Sequence, residues 1–156
     1  NAGKKYKAMD KRTVLFVDDD EIILMSLQRG LRDEPYNKIF ARNGTDALRI
    51  LKSNDVHVVV TDMRMPEMTG LELLKIVKQN HPNIVRIVFS GYTQVTTLLT
   101  AINQGEIYRY IPKPWKIDDD FKIVIHQAIE YYNLNEQRDA MIAQLMELQA
   151  QNQKKP

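Results

Sequence analysis

Acidic side chains follow two apolar segments of this sequence, at the points where strands would end. Asp18 and Asp19 come directly after Thr13–Val17, and Asp62 follows a run of three valines and a threonine. Carboxylates brought close together repel one another, so they need a cation or their pKa values rise. Oxygen ligands without a neighbouring cysteine or histidine favour a hard ion such as Mg²⁺. The spacing therefore predicts a magnesium site built from these acids.

A hydroxyl and an amine follow two further apolar segments. Ser90 comes directly after the fourth of them, and Lys113 lies just beyond the fifth. In this company Asp62 could attack phosphorus to form an acyl phosphate, with Mg²⁺ neutralising the developing charge. The Lys113 ammonium and the Ser90 hydroxyl could hold the remaining phosphoryl oxygens. Alone, Ser90 could start a turn and Lys113 could be a solvated amine, but jointly with the acids they predict a phosphoryl-accepting site.

Five short apolar segments alternate with five segments of helical periodicity. The predicted strands are Thr13–Val17, Asn37–Ala41, Val56–Thr61, Ile84–Phe89 and Tyr108–Ile111. The predicted helices carry apolar residues three or four positions apart, over Ile23–Leu31, Ala47–Leu51, Leu71–Val77, Val95–Ile102 and Phe121–Ile129. Residues typical of helix N-caps precede three of them: Asp20, Thr69 and Asp118. The alternation predicts an α/β fold, a doubly wound five-stranded parallel sheet whose ligands bind beyond the carboxyl ends of the strands.

The last helix is predicted to extend well past a compact domain, because neither Gly nor Pro occurs from Phe121 until Pro156. Apolar residues continue on an alternating spacing of three and four. They are Val124, Tyr131, Leu134, Met141, Leu145 and Leu148, with Gln127 and Arg138 as polar exceptions. This pattern is consistent with a homodimeric, two-stranded coiled coil and equally with a frayed amphipathic tail.

Composition excludes several classes of protein. The 156 residues include no cysteine, so disulfides and thiolate chemistry are excluded. No segment approaches the roughly 20 apolar residues of a membrane span, and we expect a cytoplasmic protein without membrane contact. Between Thr13 and Gln153 the chain carries 15 basic and 19 acidic residues, a poor footprint for direct nucleic-acid contact.

Four short segments carry the chemical residues in a fixed order. They are Leu15-Phe16-Val17-Asp18-Asp19-Asp20, Val60-Thr61-Asp62-Met63-Arg64-Met65-Pro66-Glu67-Met68-Thr69-Gly70, Val88-Phe89-Ser90-Gly91-Tyr92 and Tyr110-Ile111-Pro112-Lys113-Pro114-Trp115. In order, spacing and residue type they resemble the receiver domains of two-component response regulators, over about Lys11 to Tyr132. The resemblance implies a flavodoxin-like sheet of strand order 2-1-3-4-5.

The resemblance also implies a role for each site residue. Asp62 would be the phosphoacceptor, and Mg²⁺ would be held by Asp18, Asp19, Asp62 and the carbonyl of Met63. Ser90 and Tyr110 would be the switch residues, and Lys113 would contact the phosphoryl group. Arg64 and Tyr92 could tune the lifetime of that group, although Arg64 could equally be a solvated loop cation.

A receiver implies partners on either side of the signalling step. A histidine kinase or a phosphotransfer protein would supply the phosphoryl group, and the domain would catalyse its own modification and hydrolysis without being a turnover enzyme. Residues 1–10 are expected to be a disordered tail with a cloning remnant, 11–132 the receiver, and 133–156 a helical linker that is a candidate coiled coil. The segment Gln104–Trp115 is similar to receivers that precede signalling enzymes such as HD-type phosphodiesterases, so we expect a fragment whose output domain is missing.

Three other readings of the acids remain open at this stage. A haloacid-dehalogenase-like phosphatase would use the spacing of Asp18 and Asp20, but would leave Asp62 without a role. A module on the same fold could bind partners without being phosphorylated, although such modules usually lack one of the acids or the lysine. A flavin site of the flavodoxin type is disfavoured because acids after the first strand would repel its phosphate.

Overall fold

The computed structural model describes residues 9–91, 95–113 and 117–154, which form five strands and five helices. The strands are β1 (Thr13–Val17), β2 (Asn37–Ala41), β3 (Val58–Thr61), β4 (Val85–Ser90) and β5 (Arg109–Pro112). The helices are α1 (Glu21–Gly30), α2 (Gly44–Ser53), α3 (Gly70–Asn80), α4 (Val95–Asn103) and α5 (Asp119–Gln153). The alternation predicted from the sequence is confirmed.

All five strands are parallel and lie in the order β2-β1-β3-β4-β5, as expected. The order reverses between β1 and β3, where Val17 lies beside Thr61 in the register of the two strands. The carboxyl ends of these two strands therefore meet at the switch point of the sheet, which is where open α/β sheets bind ligands.

Successive side chains of each strand point to opposite faces of the sheet, so each face has its own core. On one face, Leu15 and Val59 pack in a cluster that includes residues of α2, α3 and α4. On the other face, Phe16 and Val60 pack in a cluster that includes residues of α1 and α5. Burial on both faces explains why the central strands are continuously apolar.

Several element ends differ by one or two residues from the prediction. Val56 and His57 precede β3 and are not part of it. β4 and β5 each begin and end one residue later than expected, because Ser90 pairs with Pro112 at the last rung of the ladder. In α4, Leu99 and Ile102 are exposed.

Polar N-caps start the helices close to the strand ends. The side chains of Asp20, Asn43, Thr69 and Asp118 accept hydrogen bonds from the amides of Ile22, Asp46, Glu72 and Phe121. The three caps predicted from the sequence are confirmed, and Asn43 is an addition. Asp20 is therefore engaged as a cap at the edge where the other acids lie.

The last helix is 35 residues long, and only its first third packs on the sheet. Phe121, Ile125 and Ile129 are buried, whereas most side chains after Tyr132 are exposed. At a rise of about 1.5 Å per residue, the part beyond Tyr132 extends roughly 30 Å from the domain. Within the described ranges, no helix combines the length and the apolar character that crossing a bilayer requires.

Candidate functional site

Three carboxylates converge at the carboxyl edge of the sheet. Asp18 follows β1 directly, Asp19 is next in the chain, and Asp62 follows β3. One oxygen atom from each of the three lies within 4.8 Å of those from the other two. Asp18 is fully buried and Asp19 is exposed, so the cluster opens to solvent on one side. The acids singled out by their place after two strands are thus brought together.

Lys113 reaches into this cluster from the end of β5. Its Nζ atom lies 2.9 Å from Oδ2 of Asp18 and 3.5 Å from Oδ1 of Asp62. The same atom is 4.5 Å from the centre of the Phe89 ring, a cation–π contact that stabilises the ammonium. The lysine therefore bridges two acids that otherwise repel each other.

Backbone contacts hold Asp62 in place. Its amide donates to the carbonyl of Val17, at 2.8 Å, and its carbonyl accepts from Oγ1 of Thr61, at 2.9 Å. On the side chain, Oδ1 accepts from the amide of Met63 at 2.9 Å. The position of the carboxylate is thus fixed by contacts with β1, with β3 and with the loop that follows β3.

Gly70 allows the first turn of α3 to approach this loop closely. Its amide donates to the carbonyl of Met63 at 2.9 Å, and a Cβ atom at Gly70 would lie only 2.0 Å from the carbonyl oxygen of Asp62. No side chain fits there. Gly70, Thr61 and Phe89 were not predicted as site residues, and the one signal in the sequence for Gly70 was its position directly after the helix cap Thr69.

The electrostatics of the cluster favour a divalent cation. Three carboxylates and one ammonium leave a net charge of −2 when all four are ionised. Burial and the Asp18 carboxylate raise the pKa of Asp62, and the Lys113 ammonium partly opposes that rise. The Met63 carbonyl, which accepts from Gly70, has a second lone pair to offer. A set of oxygen ligands with a net charge of −2 fits Mg²⁺.

The two predicted switch residues lie next to the cluster. Ser90, at the end of β4, is 2% exposed, and its carbonyl accepts from the Lys113 amide at 2.9 Å. The hydroxyl of Tyr110 donates to that same carbonyl at 3.0 Å, and its half-buried ring packs on the core beside α4. Arg64 is exposed in the loop after β3, whereas Tyr92 lies outside the described residues.

A doubly wound parallel sheet with three acids and a lysine at its switch point defines an α/β domain with an acidic pocket at the carboxyl ends of its strands. A family model described as the response regulator receiver domain matches residues 14–125. The chain belongs to the response regulator receiver family, and its acidic pocket is typical of phosphoacceptor domains. This membership argues against the phosphatase and flavin-site readings of the acids.

Similar proteins include regulators and isolated receivers. The hydrogenase transcriptional regulatory protein HoxA of Cupriavidus necator is 37% identical over 125 residues, which are 80% of this chain and 26% of HoxA. The chain thus spans about a quarter of the length of that relative. The signal receiver domain of an HD domain-containing protein from Pseudomonas fluorescens Pf-5 is 38% identical, with a TM-score of 0.73 over 78% of this chain and 97% of that one.

A third similar structure bears on the metal. The response regulator protein TrrA of Thermotoga maritima, in complex with Mg²⁺–BeF, is 25% identical, with a TM-score of 0.67 over 75% of this chain and 98% of that one. Receivers of this family therefore bind Mg²⁺, and the acidic cluster described above fits the same ion.

Proposed function

We propose that this chain is a phosphoryl-accepting switch in which Asp62 takes a phosphoryl group from a histidine kinase or a phosphotransfer protein. The observation that carries the proposal is the convergence of Asp18, Asp19 and Lys113 on the Asp62 carboxylate at the switch point of the sheet. An unphosphorylated binding surface does not need this arrangement.

In the proposed reaction, a carboxylate oxygen of Asp62 attacks phosphorus of the donor's phosphohistidine. The new O–P bond makes an acyl phosphate as the N–P bond breaks, and the electron pair of that bond stays on the histidine nitrogen. Lys113 pairs with the negative oxygens of the incoming group, since its Nζ already lies 3.5 Å from Asp62. Water later attacks phosphorus, releasing inorganic phosphate and restoring the carboxylate.

We assign the Mg²⁺ site to Asp18, Asp19, Asp62 and the Met63 carbonyl. When bound, the ion neutralises negative charge on the phosphoryl oxygens. We assign Arg64, which is exposed in the loop after Asp62, and Tyr92 to tuning the lifetime of the phosphoryl group.

The switch is assigned to Ser90 and Tyr110. A phosphoryl group on Asp62 offers a new acceptor to the Ser90 hydroxyl, and movement of β4 at that point changes the carbonyl to which Tyr110 donates. A few charge-assisted hydrogen bonds of this kind can bias a two-state equilibrium. The surface that changes is made by α4, β5 and α5.

The receiver proper is assigned to residues 11–132, and residues 133–156 to a helical linker that leads to an output domain. Two of the similar proteins support different outputs, since one is a transcriptional regulator and the other has an HD domain. We favour a signalling enzyme of the HD kind, acting in the cytoplasm, with neither membrane nor direct nucleic-acid contact by this chain. A second copy would pair through α5, and phosphorylation would change that pairing.

Intact mass spectrometry tests the proposal. The chain is incubated with acetyl phosphate and Mg²⁺, next to Asp62→Asn and to Asp55→Asn, which removes an exposed carboxylate distant from the cluster. We expect one labile phosphoryl adduct in the parent and in Asp55→Asn, and none in Asp62→Asn or without Mg²⁺. An adduct in Asp62→Asn would move the acceptor to another residue. No adduct in the parent would reject phosphoryl acceptance and favour an interaction module.

A further inference from the structure

Among the residues that the structure describes, the exposed apolar surface is concentrated on one helix. Of the twelve large hydrophobic side chains that are exposed among the described residues, seven lie on α5 from Tyr131 onward. Five of the seven follow one another along one side of the helix, and we call them the α5 stripe. They are Tyr131, Leu134, Met141, Leu145 and Leu148, with exposed fractions of 46%, 64%, 63%, 57% and 51%.

The spacing of the α5 stripe is that of a heptad repeat. Taking Tyr131 as position a, Leu145 is also at a, and Leu134, Met141 and Leu148 occupy d. Two polar residues, Arg138 and Asn152, fill the remaining a positions. Five of the seven core positions are thus apolar, enough to form a seam when a second helix covers it.

The charged residues beside the seam indicate which helix covers the α5 stripe. The e positions hold Asn135, Ile142 and Gln149, and the g positions hold Glu130, Gln137, Gln144 and Gln151. Glu130 is the only charged residue among these seven. Partners of different sequence are usually selected through complementary e and g charges, which this helix does not offer. Two copies of it, in contrast, meet without like-charge repulsion between e and g positions beyond Glu130.

The polar core residues set the direction of pairing. In a parallel, in-register pair, a faces a and d faces d, so Arg138 and Asn152 each share a layer with their own counterpart. The other five layers are then wholly apolar. In an antiparallel pair a faces d, and because every d position is apolar, each polar residue would be placed against an apolar one. Parallel pairing therefore leaves more apolar layers intact.

We propose that α5 pairs with α5 of a second copy as a parallel, in-register, two-stranded coiled coil from Tyr131 to Asn152, with Arg138 fixing the register. The Arg138 guanidinium lies 3.6 Å from Oδ1 of Asp139 on its own helix, which supplies a counter-charge when two arginines share a layer. A slip by one heptad would place Arg138 against Leu145. The proposal rests on the pairing named under the proposed function and specifies its geometry in the unphosphorylated chain, while phosphorylation of Asp62 would change the strength of that pairing.

The stripe begins where α5 leaves the body of the domain. The Tyr131 ring lies 4.8 Å from that of Tyr108, which directly precedes β5, and both line a groove of about 400 Å³ together with the exposed Ile102 of α4. The seam thus begins beside a groove of the receiver surface whose lining is of mixed polarity. The first layer of the coiled coil would be anchored on the domain itself.

Cysteine crosslinking tests the direction, since the chain has no cysteine of its own. Leu134→Cys places a thiol at a core d position, and Ala150→Cys places one at the outward f position of the same extension. With oxidised glutathione as the oxidant, we expect Leu134→Cys to form a disulfide-linked dimer and Ala150→Cys to remain uncrosslinked. Crosslinking only in a mixture of Leu134→Cys with Leu145→Cys or Asn152→Cys would establish antiparallel pairing and overturn the proposal.

Sedimentation equilibrium tests the stoichiometry on the full chain. We expect a concentration-dependent dimer for the parent, for Asp62→Asn and for Ala143→Gln, and at least a tenfold weaker dimer for Leu145→Gln. A trimer, or a monomer at all concentrations, would overturn the proposal. Because Asp62→Asn is included, loss of phosphoryl acceptance and loss of pairing are observed separately.

Discussion

The carbonyl oxygen of Asp62 occupies the space in which a side chain at Gly70 would lie. We expect Gly70→Ala to lower the free energy of unfolding by about 1–3 kcal/mol, because the loop or the start of α3 must move. The same displacement should slow phosphorylation by acetyl phosphate. Gly91→Ala is the matched control, since its Cβ would meet only the Cβ of Lys113 at an ordinary 3.5 Å. Urea unfolding measures the free energy of unfolding of the two variants. Equal losses in Gly70→Ala and Gly91→Ala would show that the close contact at Gly70 does not limit stability.

A buried histidine makes stability depend on pH. His57 is 2% exposed, and its Nδ1 accepts from the amide of Thr13 at 2.9 Å, so the ring must be neutral there. Burial lowers its pKa from the ordinary 6.5, Asp55 opposes this, and Arg12 adds to it. The unfolded chain takes up a proton near pH 6.5 that the folded protein excludes.

Stability should therefore be lost as the pH falls below about 6.5, until the pKa of the folded state is reached. The loss is at most about 1.4 kcal/mol per pH unit. We expect the free energy of unfolding of the parent to fall more steeply between pH 7 and pH 5 than that of His57→Gln. Identical slopes would mean that His57 does not govern the dependence.

The carboxyl ends of the strands could be predicted from the sequence. Most of the acidic cluster could therefore be predicted as well. Asp18 and Asp62 were predicted to meet because each directly follows an apolar run, and parallel strands bring their carboxyl ends to one edge. The contacts of Gly70 and Thr61 with Asp62 depend on the path of the loop after β3, which no periodicity specifies. The contact of the Phe89 ring with Lys113 could not be predicted either, because an aromatic residue in a strand indicates only that it belongs to the core.

At the scale of elements, α5 is fastened to the domain by a residue that precedes β1. Nε of Arg12 donates to Oδ1 of Asn133 at 2.7 Å, and Nη2 donates to Glu136 at 3.2 Å. Its guanidinium also lies 4.9 Å from the centre of the Tyr132 ring. Three successive contacts along one face of α5 set the direction in which the extension leaves the domain.

We expect Arg12→Ala to cost about 1–2 kcal/mol of stability, since it removes partly buried charge-assisted hydrogen bonds. Arg49→Ala, which removes an exposed pair with Asp46 on α2, should cost less than about 0.5 kcal/mol. Hydrogen exchange should become faster near Asn133 in Arg12→Ala and remain unchanged there in Arg49→Ala. Unchanged exchange in both variants would show that the packing of Tyr132 suffices to hold the helix.

The presence of all five helices could be predicted from the sequence, but which of their apolar residues are buried could not. Leu99 and Ile102 have helical spacing on α4, and yet they are exposed, because the inward side of this short helix is taken by Leu98 and Ala101. Spacing identifies a face, whereas the partner that covers the face is a property of the assembled molecule. For the α5 stripe, the sequence predicted both the spacing of three and four and the projection past the domain, but the partner that covers the stripe is again a property of the assembled molecule.

At the scale of the whole molecule, a bound divalent cation should couple the acidic cluster to global stability. A ligand present at a hundred times its dissociation constant adds about 2.7 kcal/mol. We expect Mg²⁺ to raise the melting temperature of the parent and of Asp20→Asn, which keeps a capping side chain and lies outside the cluster. Asp19→Asn should lose most of this increase. A similar increase in Asp19→Asn would remove Asp19 from the ligand set.

The acidic cluster and the fastening of α5 lie at opposite edges of the same sheet. Asp18 and Asp62 follow the carboxyl ends of β1 and β3, whereas Arg12 and His57 precede their amino ends. Any signal from the phosphorylation site to the extension must therefore cross the length of the strands, roughly 15–20 Å. β1 and β3 span this distance directly.

The separation of α5 from the body also has a consequence for proteolysis. Beyond Tyr132 the helix has few contacts with the domain, so its local stability is set mainly by whatever covers the stripe, and an isolated helix of this length is marginal in water. Arg138 is the single Lys or Arg between Lys122 and Lys154. Trypsin thus has one site in the exposed helix, and the rate of cleavage there reports how often the extension unwinds while the receiver stays folded.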